Sequence, residues 1–318
     1  MIYKLMNINR FVMYLLLVIA IGLPLLFLKI EVPTITASNT EDLYIAYNKL
    51  PEGSTVFLES DWTVSTRGEN AGQLEALLKL LRLRNVKFVL YSCSDAQAPQ
   101  VARNTITNVN KQLVAAGLEP FKPWEDYVDV GFYPDIEALY NAIKSNPRNA
   151  FTGKTANNPA TRQMEDVYKS PVLKDIRKVE DIAMVINISA SGTLKYIVQR
   201  IGSKTKIGSM VTGVMGPEAM NYYAAKQIAG LSVGLRGVVE LETMMAKGVN
   251  YSDGDKEPFV KAEQLNGKIE PIDPKLEPFG RGMRYFASLH AALFLLILAV
   301  VLGNIGLYLQ KRQNKGAN

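Results

Sequence analysis

The chain of 318 residues contains a single histidine, His290, and a single cysteine, Cys93. One cysteine excludes an internal disulfide and a multi-cysteine metal site, and the sequence predicts neither a bound metal nor a cofactor. Because His290 lies in an apolar run near the C-terminus, the remainder of the chain has no histidine triad, histidine metal cluster or histidine acid–base chemistry. These absences favour a protein that is not an enzyme, without deciding the question.

The net charge of +6 does not indicate a nucleic-acid partner. Two cations, Lys4 and Arg10, precede the first long apolar run, and Lys311, Arg312 and Lys315 follow the second, with no acidic residue in either tail. Without these five cations the chain is nearly neutral. The basic charge therefore belongs to membrane flanks and not to a DNA-binding face.

Two long apolar runs predict transmembrane helices. Residues 11–28 have the length of a span, and a signal anchor is favoured over a cleaved signal peptide because no small-residue cleavage site follows. Residues 285–309 form the second run, with aromatic residues near both ends. The positive-inside rule places both tails in the cytoplasm. The predicted organisation is a cytoplasmic tail, a signal-anchor span, an extracytoplasmic domain, a second span and a basic cytoplasmic tail (residues 1–10, 11–30, 31–284, 285–309 and 310–318).

Short apolar segments alternate with helical patterns between the two spans. Five segments read as strands, at residues 55–59, 86–91, 127–132, 183–188 and 206–212. The helix after the fourth carries Leu194, Ile197, Val198 and Ile201 on one face. Residues 145–161 read as a long loop, 231–247 as the last helix of the domain, and 251–279 as a polar return to the membrane. This order predicts an α/β fold with a mostly parallel, doubly wound (Rossmann-like) sheet between two transmembrane helices.

Right-handed crossovers place the C-terminal ends of all parallel strands at one edge, where sheets of this type bind ligands. The residues that follow the strands are therefore candidate ligand contacts: Asp61, Trp62, Glu69, Asn70, Ser92, Ser189, Ser191, Gly192, Thr193 and Thr212.

Each candidate also has a structural interpretation. Residues 189–193 could offer N–H groups and hydroxyls to an anion, or could simply cap the following helix, and they match neither the Walker nor the dinucleotide fingerprint. Asp61 and Glu69 could form a carboxylate pair for metal or acid–base chemistry, although loop and capping roles are commoner. Cys93 has no histidine to activate it, which favours a buried, inert thiol.

A second set of residues suggests contacts between proteins. Gly230, Gly234 and Gly237 recur at i, i+4 and i+7, which permits close approach either to the domain's own sheet or to another subunit. Within the second apolar run, the polar side chains favour hydrogen bonds between helices over a proton relay; they are Ser288, His290 and Asn304.

Several segments together resemble a known family. They are ESDW at residues 59–62, GEN at 68–70, YVDVGFYP at 127–134, SASGT at 189–193, TGVMGPEAMNYY at 212–223, KQIAGLSVGLRGVVELE at 226–242 and RGMRYFASLHAALFLLILAVVLGNI at 281–305. In this order they resemble an uncharacterised family of bacterial two-span membrane proteins with one α/β domain between the spans. The chain departs from that family at residues 238–242, where VVELE replaces an Ala-Ala-Glu-Tyr-Glu run. The resemblance implies an integral protein of the bacterial cytoplasmic membrane and no known activity.

Three functional hypotheses follow. The first is a non-enzymatic structural or interaction subunit of a membrane complex, which associates with other membrane subunits or with itself. The second is a membrane-anchored domain that senses or binds a small solute in the crevice above the strand ends. The weakest is a metal-assisted hydrolase built on Asp61 and Glu69.

Overall fold

The structure is a computed structural model that describes residues 9–27, 30–251 and 267–316. It divides into two compact units. One unit contains both ends of the chain, Met1–Pro33 and Met283–Asn318, and the other is Thr34–Gly282, hereafter the domain.

One described helix is long and apolar enough to cross a membrane. It occupies Arg281–Arg312 within the C-terminal helix Arg281–Gly316. The N-terminal helix, Arg10–Leu26, is also apolar, but its 17 residues fall short of the roughly 20 that usually span a bilayer. The predicted first span ends at residue 28, which lies outside the described residues. A second span therefore stays a prediction.

The domain is built from alternating strands and helices, which we number within the domain. In chain order they are α1 (Ser38–Asn48), β1 (Thr55–Asp61), α2 (Arg67–Leu83), β2 (Lys87–Ser92), α3 (Ala98–Ala115), β3 (Tyr127–Phe132), α4 (Ile136–Ser145), α5 (Pro147–Ala150), β4 (Thr155–Asn158), β5 (Gln163–Asp166), β6 (Met184–Ser189), α6 (Leu194–Ile201), β7 (Ile207–Val211), α7 (Gly216–Ala224), β8 (Gly230–Val233), α8 (Gly234–Lys247), β9 (Val249–Tyr251) and β10 (Gly267–Ile269).

Six strands form one parallel sheet in the order β3-β2-β1-β6-β7-β8. Numbered by their appearance along the chain, these strands run 3-2-1-4-5-6, which is the order of a Rossmann-like doubly wound sheet. The predicted α/β class and parallel sheet are confirmed. The chain reverses its direction of winding between β1 and β6, which lie side by side at the centre of the sheet.

Helices cover both faces of this sheet, which explains why the central strands are apolar almost throughout. Helices α1, α2, α3 and α8 pack on one face through side chains such as Leu43, Leu77 and Leu241. Helices α4, α6 and α7 cover the other face. In α6, Leu194, Ile197 and Ile201 are buried. At roughly 1.5–3 kcal/mol for each large apolar side chain buried, these two layers supply the main stabilisation of the domain.

Three local predictions differ from the structure. Residues 230–233 form the sixth parallel strand, β8, and not the first turn of a helix. Residues 145–161 are not a plain loop, because α5 lies in this segment and β4 pairs with β5 as a hairpin. The predicted polar return at 251–279 contains strand structure, because β9, which ends at residue 251, pairs with β10. Residues 252–266 lie outside the described part of the chain.

The three glycines predicted to form a helical stripe lie in different local structures. Gly230 is in β8, where an added Cβ would overlap the backbone of Leu43. Gly234 begins α8 with a φ of +58°, a conformation that favours glycine at the turn from strand to helix. Gly237 lies inside α8, and an added Cβ there would overlap the Ser232 hydroxyl. The domain's own atoms therefore occupy the space beside Gly230 and Gly237, and an intermolecular role for the three glycines stays a prediction.

Charged groups hold the segment that leads into the C-terminal helix. Lys79 of α2 is buried, and its Nζ donates to the carbonyl of Glu277 at 2.8 Å and lies 3.6 Å from Glu75 Oε1. Arg281 Nε lies 3.5 Å from Glu75 Oε2, and the Gly282 N–H donates to a carboxylate oxygen of Glu242 in α8 at 3.0 Å. Residues 277–282 are thus bound to two helices of the domain.

The close packing at Gly237 predicts the sign of one substitution. Alanine inside a helix is normally favoured over glycine by up to about 1 kcal/mol, but Gly237→Ala should lower the free energy of unfolding by roughly 1–3 kcal/mol because its methyl group overlaps Ser232. Denaturant unfolding of the full chain in detergent measures this. Gly68→Ala in α2 is the matched control, since its added methyl meets no atom within 4 Å. If both variants were stabilised, the packing of α8 on β8 described above would be wrong.

Candidate functional site

The winding of the chain reverses between β1 and β6, and in doubly wound sheets a crevice opens at this point of the C-terminal edge. Asp61 and Ser189 are the last paired residues of the two strands. The chain then leaves β1 for α2 on one face and leaves β6 for α6 on the other. Ser191 and Gly192, in the turn after β6, are partly exposed. Sheets of this order bind their ligands at this point.

Hydrogen bonds within residues 187–193 fix the turn after β6. Ser189 Oγ accepts the N–H of Ser191 at 2.9 Å and the hydroxyl of Thr193 at 3.1 Å. Asn187 donates from Nδ2 to Thr193 Oγ1 at 2.9 Å. Thr193 precedes α6 but makes no side-chain hydrogen bond to that helix. The hydroxyls predicted as caps or ligand contacts therefore mainly shape the turn, and Ser191 and Gly192 form its accessible part.

Most of the other predicted site residues make packing contacts or hydrogen bonds within the domain. Trp62 is buried in the apolar layer of the first face, and the Ser92 hydroxyl donates to the Ser60 carbonyl at 2.6 Å. Asn70 donates to Gln73 at 2.9 Å, and Gln73 donates in turn to the Val211 carbonyl at the end of β7.

Glu69 connects the start of α2 to the far side of the crevice. Its Oε2 accepts the N–H of Gly213 at 2.8 Å, directly after buried Thr212. Asp61 uses its carboxylate differently: Oδ1 accepts the N–H groups of Cys93 and Ser94 at 2.5 and 3.1 Å. The two carboxylates of the predicted pair, Asp61 and Glu69, therefore accept hydrogen bonds from two different loops.

The structure brings together a different carboxyl pair, Glu59 and Asp61. Because they are two residues apart in β1, both point to the face covered by α4 and α6. Oxygens of the two carboxyls and Cys93 Sγ lie within 4.8 Å of one another. All three residues are buried, with exposed fractions of 0%, 1% and 6%. Tyr140 of α4 donates a short hydrogen bond to Glu59 Oε2, and the hydroxyls of Tyr91 and Tyr140 are 2.8 Å apart.

A row of polar side chains crosses the sheet at the position of Glu59. In register, Tyr91 of β2, Glu59, Asn187 of β6 and Ser209 of β7 form one row on the same face, and all four are fully buried. Ser209 donates to Asn187 Oδ1 at 3.2 Å. Sequence reasoning missed Glu59, Tyr140, Asn187 and Ser209. The detectable signal was a polar residue inside each of several apolar strands, but only the register shows that these residues meet.

Burial dominates the electrostatics of this cluster. It raises the pKa of Glu59 well above the ordinary 4.5, helped by the charge and hydrogen bonding of Asp61 and opposed in part by the hydroxyls of Tyr140 and Thr193. Burial also raises the pKa of the Cys93 thiol, and the charges of Glu59 and Asp61 add to that rise. In the absence of a bound cation, burial therefore favours the thiol of Cys93 over the thiolate, and its predicted inertness stays a prediction.

A separate groove of about 490 Å³ lies at the same edge, beside β8. It is bounded by the start of α1, the turn after β7 and the first turns of α8. Glu240 at this groove is buried, accepts the Thr40 hydroxyl at 2.6 Å and pairs with Arg236 at 2.9 Å. These partners account for both carboxylate oxygens of Glu240.

The polar residues predicted as helix–helix contacts lie in the C-terminal helix. Ser288 Oγ donates to the Arg284 carbonyl at 3.0 Å, and His290 Nδ1 lies 2.8 Å from the Phe286 carbonyl, so both bond within their own helix. Asn304 is exposed. Contacts of these three residues with another protein stay a prediction.

The raised pKa of Glu59 predicts a pH-dependent stability. The folded state keeps the Glu59 proton at pH values where the unfolded chain has lost it, so this group's contribution is fully present below about pH 4.5 and is lost as the pH rises towards the raised pKa. Glu59→Gln has no proton to lose. Its free energy of unfolding should therefore fall less than that of the wild type between about pH 5 and 8.

Denaturant unfolding at a series of pH values measures how the free energy of unfolding changes with pH. A chelator is present so that no metal ion occupies the carboxyls. Glu119→Gln, at an exposed carboxyl, controls for the removal of one surface charge and should keep the wild-type slope. Equal slopes for Glu59→Gln and the wild type would refute a protonated Glu59.

Comparisons with known proteins leave the site to be interpreted from its own chemistry. No protein-family model, no curated protein and no solved structure matches the chain. The resemblance to bacterial two-span membrane proteins therefore stays a prediction.

Proposed function

We propose that the domain is a membrane-tethered ligand-binding domain that holds a small polar metabolite above the ends of β1 and β6. The carrying observation is the reversal of winding between β1 and β6, where the partly exposed turn with Ser191 and Gly192 precedes the N-terminus of α6. Crevices at this position are the common ligand sites of doubly wound sheets. The proposal assigns binding, and no reaction, to this edge.

The surroundings of the turn suggest the chemistry of the ligand. The N-terminus of α6 carries a partial positive charge and suits an anionic group. Glu218 is exposed, and its carboxylate lies 4.0 Å from the position that a Cβ on Gly192 would take. A carboxylate there disfavours a bare anion and favours a hydroxyl or amino group. The expected ligand therefore carries both kinds of group, as amino acids, hydroxy acids and sugar phosphates do.

Two sequence-based hypotheses receive less support. The complex-subunit hypothesis depended partly on the glycines, and the spaces beside Gly230 and Gly237 are filled by Leu43 and Ser232 of the same domain. The hydrolase hypothesis needed Asp61 and Glu69 to cooperate, but Asp61 binds the turn after β2 and Glu69 binds Gly213. Ligand binding uses the crevice without either requirement.

We also propose that the domain faces outward from a bacterial cytoplasmic membrane with both termini inside. The apolar helix Arg281–Arg312 supports a tether, and the apolar N-terminal helix Arg10–Leu26 supports a second span. Positive charge at both ends of the chain, without acidic residues, supports cytoplasmic tails.

Filling the crevice should abolish ligand binding without unfolding the domain. Thermal unfolding of the full chain in detergent, screened with amino acids, hydroxy acids and sugar phosphates, should identify a stabilising compound, at about 2–4 °C for each kcal/mol of binding linkage. Gly192→Leu should remove that shift, because a Cβ at Gly192 meets no atom closer than 4.0 Å and the longer side chain would occupy the space beside the turn, next to Glu218 and Met215.

Ser191→Ala should weaken the shift, and Ser145→Ala, at the exposed C-terminal end of α4, should preserve it. A ligand whose shift survives Gly192→Leu unchanged would place binding elsewhere.

Maleimide labelling of cysteines can test which side of the membrane the domain occupies, because the chain's own cysteine should give little background labelling. Cys93 is buried and should react little with a maleimide in the folded protein. Ser145→Cys provides an exposed thiol on the domain. In intact cells a membrane-impermeant maleimide should label Ser145→Cys and leave the parent chain unlabelled. Labelling of Ser145→Cys only after the membrane is permeabilised would place the domain in the cytoplasm.

A further inference from the structure

The carboxyl pair in β1 is arranged as a set of metal ligands. Each carboxyl has one oxygen held by hydrogen-bond donors: Glu59 Oε2 by the Tyr140 hydroxyl, and Asp61 Oδ1 by two N–H groups of the turn after β2. The second oxygens, Glu59 Oε1 and Asp61 Oδ2, are buried and accept no hydrogen bond from another residue, so without a metal ion they can pair only by sharing a proton between the two carboxyls. A buried oxygen without a partner costs roughly 1–3 kcal/mol or more, so two such oxygens on neighbouring carboxyls require an explanation.

We propose that Glu59, Asp61 and Cys93 bind one divalent metal ion of the zinc class. One oxygen of each carboxyl and Cys93 Sγ lie within 4.8 Å of one another. Zinc accepts both carboxylate oxygen and thiolate sulfur at about 2.0–2.3 Å, so that ligand atoms in a tetrahedral site lie roughly 3.3–3.8 Å apart. The separations in the structure exceed that spacing by at most about 1.5 Å.

The donor types select the metal. Magnesium and calcium prefer oxygen ligands only, whereas a set of two carboxylates and one thiolate suits a borderline ion such as zinc. Binding removes the thiol proton of Cys93 and any proton on the carboxyls, and these protons pass to solvent. The charges of the three ionised side chains then offset the two positive charges of the ion, which favours the ionised carboxyls in a site where burial alone disfavours them.

Groups around the ligands are placed to orient them. The Tyr140 hydroxyl fixes Glu59 and is itself 2.8 Å from the Tyr91 hydroxyl, while the backbone of the turn after β2 fixes Asp61. Such outer partners commonly change metal affinity by about 10–100-fold when they are removed. Because Cys93 follows β2 and the carboxyls lie on β1, the ion would join the central strand to the neighbouring turn, beside the crevice.

This proposal differs from the sequence-based expectation of no metal. That expectation paired Asp61 with Glu69 and considered Cys93 apart from them, because no local motif connects Asp61 to Cys93 or Glu59. The register of β1 against β2 places Tyr91 opposite Glu59 and brings Cys93 beside Asp61. The ligand set is therefore assembled by strand pairing and not by spacing along the chain.

Metal analysis of the full chain tests the proposal. The protein is purified in mild detergent, without a histidine tag or chelator, and its metal content is measured by mass spectrometry. We expect about one zinc ion per chain. After removal of the metal with a strong chelator, the midpoint of thermal unfolding should fall, and added zinc should restore it. Added Co²⁺ should produce a thiolate-to-cobalt charge-transfer band in the near ultraviolet.

Variants assign the ligands. Cys93→Ser should lose the charge-transfer band, Asp61→Asn should lose stoichiometric metal, and Tyr140→Phe should retain the band with affinity lowered by about 10–100-fold. Glu240→Gln is the matched control, because Glu240 is also a buried carboxylate but has Thr40 and Arg236 as partners, and its metal content should equal that of the wild type.

The wild-type chain alone can overturn the proposal, whether or not the variants fold. Protein that purifies without metal, binds no zinc and shows no charge-transfer band with Co²⁺ would mean that the two carboxyls share a proton instead. A metal content unchanged by both Cys93→Ser and Asp61→Asn would place the ion elsewhere in the chain. Neither result would bear on ligand binding at Gly192, which has its own thermal-shift test.

Discussion

The burial of two carboxyl groups on the central strand is the constraint that shapes this domain. Glu59 and Asp61 lie beneath helices, where an ionised carboxylate without partners would be far more costly than at the surface. The protein compensates with donors from separate parts of the chain: a tyrosine from α4 and two backbone N–H groups from the turn after β2. These compensating bonds tie β1 to its surroundings on one face, beside the crevice. A buried polar centre and the proposed ligand site therefore share one strand.

Strand order explains why these features coincide. In a sheet that winds in both directions from its middle, the two central strands deliver their following turns to opposite faces, and the crevice opens between them. Here the central pair is β1 and β6, and their last paired residues are Asp61 and Ser189. Two apolar layers hold the sheet on either side, so the polar groups at its edge are positioned by a rigid frame. Function is then proposed from these positions and not from any motif.

The sequence predicted the class of the fold because each central strand is a short apolar run and each helix has an apolar stripe. It failed where two signals compete. Residues 230–233 contain a strand of only four residues beside a helix that also begins with glycine, so the glycine spacing suggested one helix. It failed again at Glu59, which looks like one polar interruption in a strand. Its neighbours Tyr140, Asn187 and Cys93 come from distant segments, and only strand register brings them together.

The bonds made by Lys79, Glu75 and Glu242 have a mechanical consequence. They fasten residues 277–282, from which the C-terminal helix continues, to α2 and α8. A force applied at residue 282 would therefore act first on two long helices that lie against the sheet, and not on a free linker. Lys79 and Glu75 lie on α2, the first long helix after β1, so a load on residue 282 would pass to the helix that follows this central strand.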